Sequence, residues 1–157
     1  MELPEPTADV PTLDRLEELL KQLSPDSAPR WGVMGPAEMV AHCVAFVDLC
    51  LGRTRVSWPL RVLARLLGPR FLRRLLSRSV EEAPREMSTL RSLRTAGSGG
   101  ELAAALGALA QRWQALRSLP AEHRHPLYGP MRQEDVHALV RHHTAHHANQ
   151  FGLLATR

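Results

Sequence analysis

The fold is decided by the stretch QEDVHALVRHHTAHHANQFGLL, residues 133–154. Glu134 and Asp135 stand at its start, where the dipole of a helix favours acidic side chains. At about 100° per residue, its apolar side chains share one face, which is typical of an amphipathic helix packed on a core. They are Val136, Val140, Phe151 and Leu154. We therefore predict a helix from Gln133 to Leu154 with this face buried.

Five of the eight histidines fall within residues 137–147 of this helix. His143 and His147 lie at the centre of the apolar face. His142 and His146 lie toward its edge, and His137 points away from it. Two imidazoles one turn apart can chelate one metal ion, because side chains at i and i+4 stack on the same face. A solvent-exposed, histidine-rich helix end is the alternative interpretation.

A third ligand is offered by a second predicted helix, which runs from Pro36 to Leu51. His42 lies at helical spacing with Met39 and Phe46 and therefore points at the same core. Three histidines leave coordination positions open for water or substrate, as catalytic metal sites require. A hydrogen-bonded core histidine is the alternative for His42. Glu38, one turn earlier, is a candidate to orient it.

Two further long helices complete an all-α prediction. Thr12 is a suitable N-cap for a leucine stripe that ends before Ser24-Pro25, and residues 101–118 repeat apolar side chains in a heptad-like pattern. We predict a single domain over residues 1–157, a four-helix bundle with one crossover. Residues 1–10 are expected to be loosely ordered, and residues 80–100 to form an exposed connection.

The crossover contains an arginine- and leucine-rich segment, residues 58–78, with a predicted break at Gly68-Pro69. The wider stretch 53–78 holds eight arginines and no acid, whereas the whole chain carries a formal charge of only +4. The high pI therefore belongs to one segment, which argues against nucleic acid as a partner. We favour a helical flap whose leucines cover one end of the bundle. A contact with an anionic membrane, a lid or a nucleic-acid contact are the alternatives.

The composition favours a helical, cytoplasmic protein. Leu and Ala lead the 44% of hydrophobic residues, which favours helices over sheets. The N-terminus MELPEP has no secretory signal pattern, and no apolar run approaches the ~20 residues that cross a bilayer. Cys43 and Cys50 lie about 10 Å apart on one predicted helix, which is too far for a disulfide. We expect reduced, buried thiols.

These residues resemble a known family. His42 within Met39-Val40-Ala41-His42, together with the closing HxxHHxxQFG of residues 143–152, is similar to the DinB-like (DinB/YfiT) superfamily of bacterial metal-binding four-helix bundles. The resemblance covers about residues 12–154 and implies a metal site at His42, His143 and His147. A finer resemblance, to an uncharacterised branch of unknown function, rests on four motifs. They are Trp31-Gly32-x-Met34, the Arg/Leu-rich segment, His125-Pro126-x-x-Gly129-Pro130 and Gln150-Phe151-Gly152.

The function expected from this resemblance is that of a metal-dependent enzyme acting on a small molecule. Thiol transfer with a low-molecular-weight thiol is the first expectation, and hydrolysis is the second. Imidazole ligands suit Zn²⁺ or Ni²⁺. Beside Glu38, we take His146 and Gln150 as candidates to hydrogen-bond the ligands; the sequence identifies no catalytic residue. The alternative function is a non-catalytic bundle that binds a small ligand or forms a homodimer.

Overall fold

The computed structural model describes residues 3–4, 7, 9–85 and 100–154. In these ranges the chain is mainly helical, as the sequence predicts, with five helices and one two-stranded sheet. The elements are α1 (Leu13–Leu20), α2 (Pro36–Cys50), α3 (Trp58–Leu76), α4 (Leu102–Arg117), β1 (Glu122–His125), β2 (Gly129–Arg132) and α5 (Gln133–Gln150).

Local sequence chemistry sets the ends of the helices. The Thr12 hydroxyl accepts the Arg15 N–H at the start of α1, which satisfies a donor that the helix itself cannot pair. Pro36 occupies the first turn of α2, and the Glu38 carboxylate accepts the Gly35 N–H at 3.0 Å. Gly52 follows α2 with φ of +78°, a left-handed conformation that glycine adopts without strain.

The core is aliphatic and lies between four of the helices. α2 packs against α4 and α5, and α1 also contacts both of these helices. Trp113 of α4 is the largest of the side chains that are almost fully buried there. Helix α5 is buried on most of its circumference, and the α2·α5 contact is the one that positions the histidines. The arrangement of four helices as a regular bundle stays a prediction.

A short antiparallel hairpin between α4 and α5 departs from the all-α prediction. Glu122 pairs with Arg132 and His125 with Gly129. The sequence does not show it, because EHRH and GPMR lack the alternation of apolar side chains that marks a half-buried strand. Gly129, with φ of +81°, follows the turn of residues 126–128 and begins β2.

The arginine-rich segment forms one helix, α3, so the predicted break at Gly68-Pro69 is wrong. Gly68 is buried, and a Cβ there would meet the Tyr128 ring at 2.5 Å. Glycine at this position therefore lets the Tyr128 ring pack directly on the backbone of α3. The predicted leucine flap is only half correct: Leu72 and Leu76 are buried, whereas other leucines of α3 face solvent.

The two segments predicted to lack regular order are described only in part. Within residues 1–10, Leu3 and Val10 are buried in the core and Asp9 accepts the Val80 N–H; the loose order of this segment as a whole stays a prediction. Most of the predicted connection 80–100, and the Gly/Ser run within it, lies outside the described residues. No helix in the described ranges is long and apolar enough to span a membrane.

Candidate metal centre

Three histidines predicted from the sequence come together between α2 and α5. His42 projects from α2, and His143 and His147 project from α5 one turn apart. One nitrogen from each ring can be chosen so that all three lie within 4.8 Å of one another, and the cluster could hold a metal ion. The ring centroids lie 4.7 to 5.0 Å apart.

The closest approach in the cluster has the spacing of two ligands of one metal ion. His42 Nε2 and His143 Nε2 lie 3.1 Å apart. Two imidazole nitrogens bound to one zinc ion at about 2.0–2.1 Å would lie roughly 3 Å apart. The donor set therefore fits a divalent ion that accepts nitrogen ligands.

Burial keeps the imidazoles of His143 and His147 neutral, which is the form that binds metal. Desolvation, reinforced by His147 and His42, holds the pKa of His143 well below its ordinary value. Desolvation and the neighbouring His42 lower the pKa of His147 to about 3, against a smaller opposing effect of the hydrogen bond to Gln150. At neutral pH no proton has to leave either ring before a metal binds.

A hydrogen-bond relay through Gln150 fixes which nitrogen of His147 is free. The Trp31 carbonyl can only accept, so the Gln150 atom 2.7 Å from it is the donating Nε2. The other amide atom is then the acceptor Oε1, and it lies 2.8 Å from His147 Nδ1. His147 must therefore carry its proton on Nδ1, and its Nε2 lone pair is left for a ligand. A hydrogen bond to the non-ligating nitrogen is what metal-binding histidines normally have.

A family model for the DinB superfamily matches residues 10–151. The chain belongs to the DinB superfamily. No match was found among curated proteins or among solved structures. The match includes all three histidines of the cluster and the Gln150 relay. The family expected from the resemblance is therefore confirmed.

Two sequence motifs of this DinB-superfamily chain meet at the relay. The Arg30 N–H donates to the Gln150 carbonyl at 2.7 Å, next to the Trp31–Gln150 bond. Gly32 has φ of +80°, and a Cβ there would lie 2.7 Å from Gln150 Nε2. Gly152 has φ of +71°, and a Cβ there would meet the Arg30 guanidinium. Both glycines thus allow the loop before α2 to close on the end of α5.

His143 is held by stacking. The Phe46 ring lies parallel to the His143 imidazole at 3.8 Å between centroids. His143 Nδ1 is buried and has no hydrogen-bond partner among the described residues. Sequence reasoning did not assign Phe46 a role, although its spacing of four residues from His42 places both side chains on one face of α2.

The other two orienting candidates have different surroundings. Glu38 Oε2 caps the start of α2 through Gly35, so a contact with His42 stays a prediction. His146 packs its ring against Trp31, with centroids 5.9 Å apart, and against His147 at 5.2 Å. The Arg85 guanidinium lies 4.7 Å above the Trp31 ring. Nothing in the sequence pattern indicated Arg85.

The remaining histidines of α5 lie outside the cluster. His142, expected near the edge of the buried face, is buried, and its Nε2 lies 3.3 Å from the Arg78 carbonyl. His137 is partly buried rather than turned to solvent, with Nε2 2.9 Å from the Leu116 carbonyl. Both differences from the prediction have one cause: other parts of the chain cover α5 on more sides than the single apolar face in its sequence indicates.

Cys43, next to His42, is not placed for nucleophilic chemistry. Its thiol is fully buried and lies 3.8 Å from Met39 Sδ. Desolvation raises the pKa of Cys43 to about 12, so the reactive thiolate is scarce at neutral pH. The Asp48 carboxylate forms ion pairs with Arg53 and Arg112. We therefore assign neither the Cys43 thiol nor the Asp48 carboxylate a role at the three histidines.

Proposed function

We propose that the protein is a metal-dependent enzyme acting on a small molecule, with one divalent ion bound by His42, His143 and His147. The observation that carries the proposal is the convergence of three imidazoles, two of which burial keeps neutral, with the tautomer of His147 set by Gln150. Membership of the DinB superfamily supports it.

The donor set favours Zn²⁺ or Ni²⁺, because neutral imidazole suits both ions. Three protein ligands leave at least one coordination position for a substrate. An ion bound there would supply a Lewis acid that lowers the pKa of a thiol or of water. The chain's own residues would orient the ligands and shield them from water. Gln150 fixes the His147 ring, Phe46 stacks on the His143 ring, and burial limits the access of water.

We take Arg85 as a candidate to bind an anionic part of the substrate. Its side chain lies over Trp31, which contacts His146, and His146 in turn packs on His147. Desolvation, His142 and the Arg85 guanidinium lower the pKa of His146 to about 4, so Arg85 lies within electrostatic range of the ring next to His147. A low-molecular-weight thiol that carries a carboxylate would meet a cation here and the histidine cluster beyond it.

We infer thiol transfer as the reaction and hydrolysis as the second candidate. The test is turnover with a panel of low-molecular-weight thiols and electrophiles, using protein loaded with Zn²⁺ or Ni²⁺ and the same protein stripped by a chelator. Turnover that appears only in loaded protein, with an increased KM in Arg85→Gln for carboxylate-bearing thiols, supports the proposal. Metal-independent affinity for a small ligand without turnover would favour a non-catalytic binding protein.

A further inference from the structure

One broad, exposed face of α3, its outer face, carries six large apolar side chains interleaved with arginines. We define this face by Trp58, Val62, Leu63, Leu66, Leu67 and Phe71, whose exposed fractions range from 42% to 69%. Of the seven large apolar side chains that are exposed in the described ranges, these are six, and the seventh is Val33. Single exposed apolar side chains are ordinary, but a contiguous patch marks a surface that contacts something other than water.

The same helix has a second apolar side that is already used. Gly68, Leu72 and Leu76 are buried against the rest of the chain. The outer face therefore cannot be covered by turning the helix, because rotation would expose the buried side instead. Its apolar area is additional to what the fold requires, and it needs a partner from outside the described chain.

The charge around this face selects the partner. Residues 53–78 carry eight arginines and no acid. Among ion pairs of the described residues, only Arg53 of this set has a partner, Asp48. Arg70, Arg73 and Arg74 are exposed among the apolar side chains of this face. The complementary surface must therefore be anionic and must also accept large apolar groups.

We propose that the outer face of α3 docks on an anionic lipid membrane, with the helix lying parallel to the bilayer surface. A helix that exposes Trp, Phe and Leu among arginines offers apolar groups to the acyl chains and cations to the anionic headgroups of a bilayer surface. The 19 residues of α3 extend over about 28 Å in that plane. Trp58, the most exposed of the six, starts the helix and suits the headgroup region, where tryptophan is enriched.

Two other occupants fit the observations less well. A second copy of the chain would bring two identical arginine-rich faces together in a twofold interface, and their like charges would repel. Nucleic acid would pair with the arginines but would leave the apolar side chains in water, because backbone contacts are made by charged and polar groups. An anionic bilayer satisfies both features.

The test is co-sedimentation of the full-length, tag-free protein with lipid vesicles. One set consists of phosphatidylcholine alone, and the other is an equimolar mixture of phosphatidylcholine and phosphatidylglycerol. We expect binding to the anionic vesicles only, with a blue shift of tryptophan emission that Trp58→Phe removes. Leu66→Ser/Leu67→Ser and Arg70→Gln/Arg73→Gln should each weaken binding tenfold or more, since two buried leucines or two interfacial arginines contribute at least that factor.

Matched controls distinguish binding through this face of α3 from nonspecific adsorption to the vesicles. Val33→Ser removes the exposed apolar side chain outside α3, and Arg124→Gln removes an exposed arginine of β1; neither should change vesicle binding. Metal content and circular dichroism should stay the same in every variant, because none of these residues contacts the histidines. Equal binding to both vesicle sets would overturn the proposal. So would a dimer in solution that Leu66→Ser/Leu67→Ser dissociates, or duplex DNA binding that is stronger than vesicle binding.

Discussion

Replacing Gln150 tests whether this residue orients His147 or only fills space. Gln150 is buried and spans from the Trp31 carbonyl to His147 Nδ1. Gln150→Met keeps the approximate shape and removes both hydrogen bonds. Loss of a hydrogen bond to a ligating histidine costs about 10- to 100-fold in metal affinity, or roughly 1.4–2.7 kcal/mol. Leaving a carbonyl and an N–H unpaired should also lower the free energy of unfolding by about 2–4 kcal/mol.

Gln150→Glu is the matched control, because it separates the two hydrogen bonds. Its carboxylate still accepts the His147 Nδ1 proton but cannot donate to the Trp31 carbonyl. We expect near-normal metal affinity together with reduced stability. The assay is zinc competition against a chromophoric chelator at neutral pH, with urea unfolding of metal-free protein in parallel. Equal loss of affinity in both variants, or no loss in Gln150→Met, would refute the assigned orientation of His147.

Three further predictions follow from the same geometry. Gly32→Ala should weaken zinc binding in the same competition assay and lower stability by about 1–2 kcal/mol, because a left-handed backbone disfavours a Cβ and the added atom displaces the Gln150 amide; an unchanged affinity would contradict this. His42→Ala should retain the fold by circular dichroism and bind zinc more weakly through the two remaining histidines, and unchanged affinity would remove His42 from the site. Burial lowers the pKa of His125 and of His147 to about 3 each, whereas a histidine in the unfolded chain has a pKa of about 6.5. Between these two pH values the unfolded chain binds protons at both residues and the folded chain does not. The free energy of unfolding of metal-free protein should therefore fall as the pH drops from about 6.5 toward 3, and His125→Gln should reduce that dependence in urea titrations.

The helical periodicity of residues 133–154 was sufficient to predict two of the three histidines of the cluster. His143 and His147 share the core face of a strongly patterned helix, so helical phase alone selects them over His137. His42 lies 101 residues before His143, and its phase shows only that it faces a core. The resemblance to the DinB-like superfamily was needed to place it with the other two.

The features that sequence analysis missed depend on tertiary contacts, which local sequence patterns do not predict. The hairpin forms from two segments without strand-like alternation. Helix α3 runs through Gly68-Pro69, where the Tyr128 ring packs on its backbone. The leucines of α3 follow helical spacing, but the spacing does not show which side meets the core. The donor of Gln150 could be identified only from the position of the Trp31 carbonyl.

The central claim is tested most directly by measuring the metal content of tag-free protein by inductively coupled plasma mass spectrometry. The comparison set consists of the wild type, His143→Ala, His147→Ala and His137→Ala. We predict one divalent ion per chain in the wild type and in His137→Ala, since His137 contacts the Leu116 carbonyl instead of the cluster. The other two variants should contain far less than one ion. Equal metal content in all four proteins, or none in the wild type after incubation with Zn²⁺ and Ni²⁺, would contradict the proposed centre.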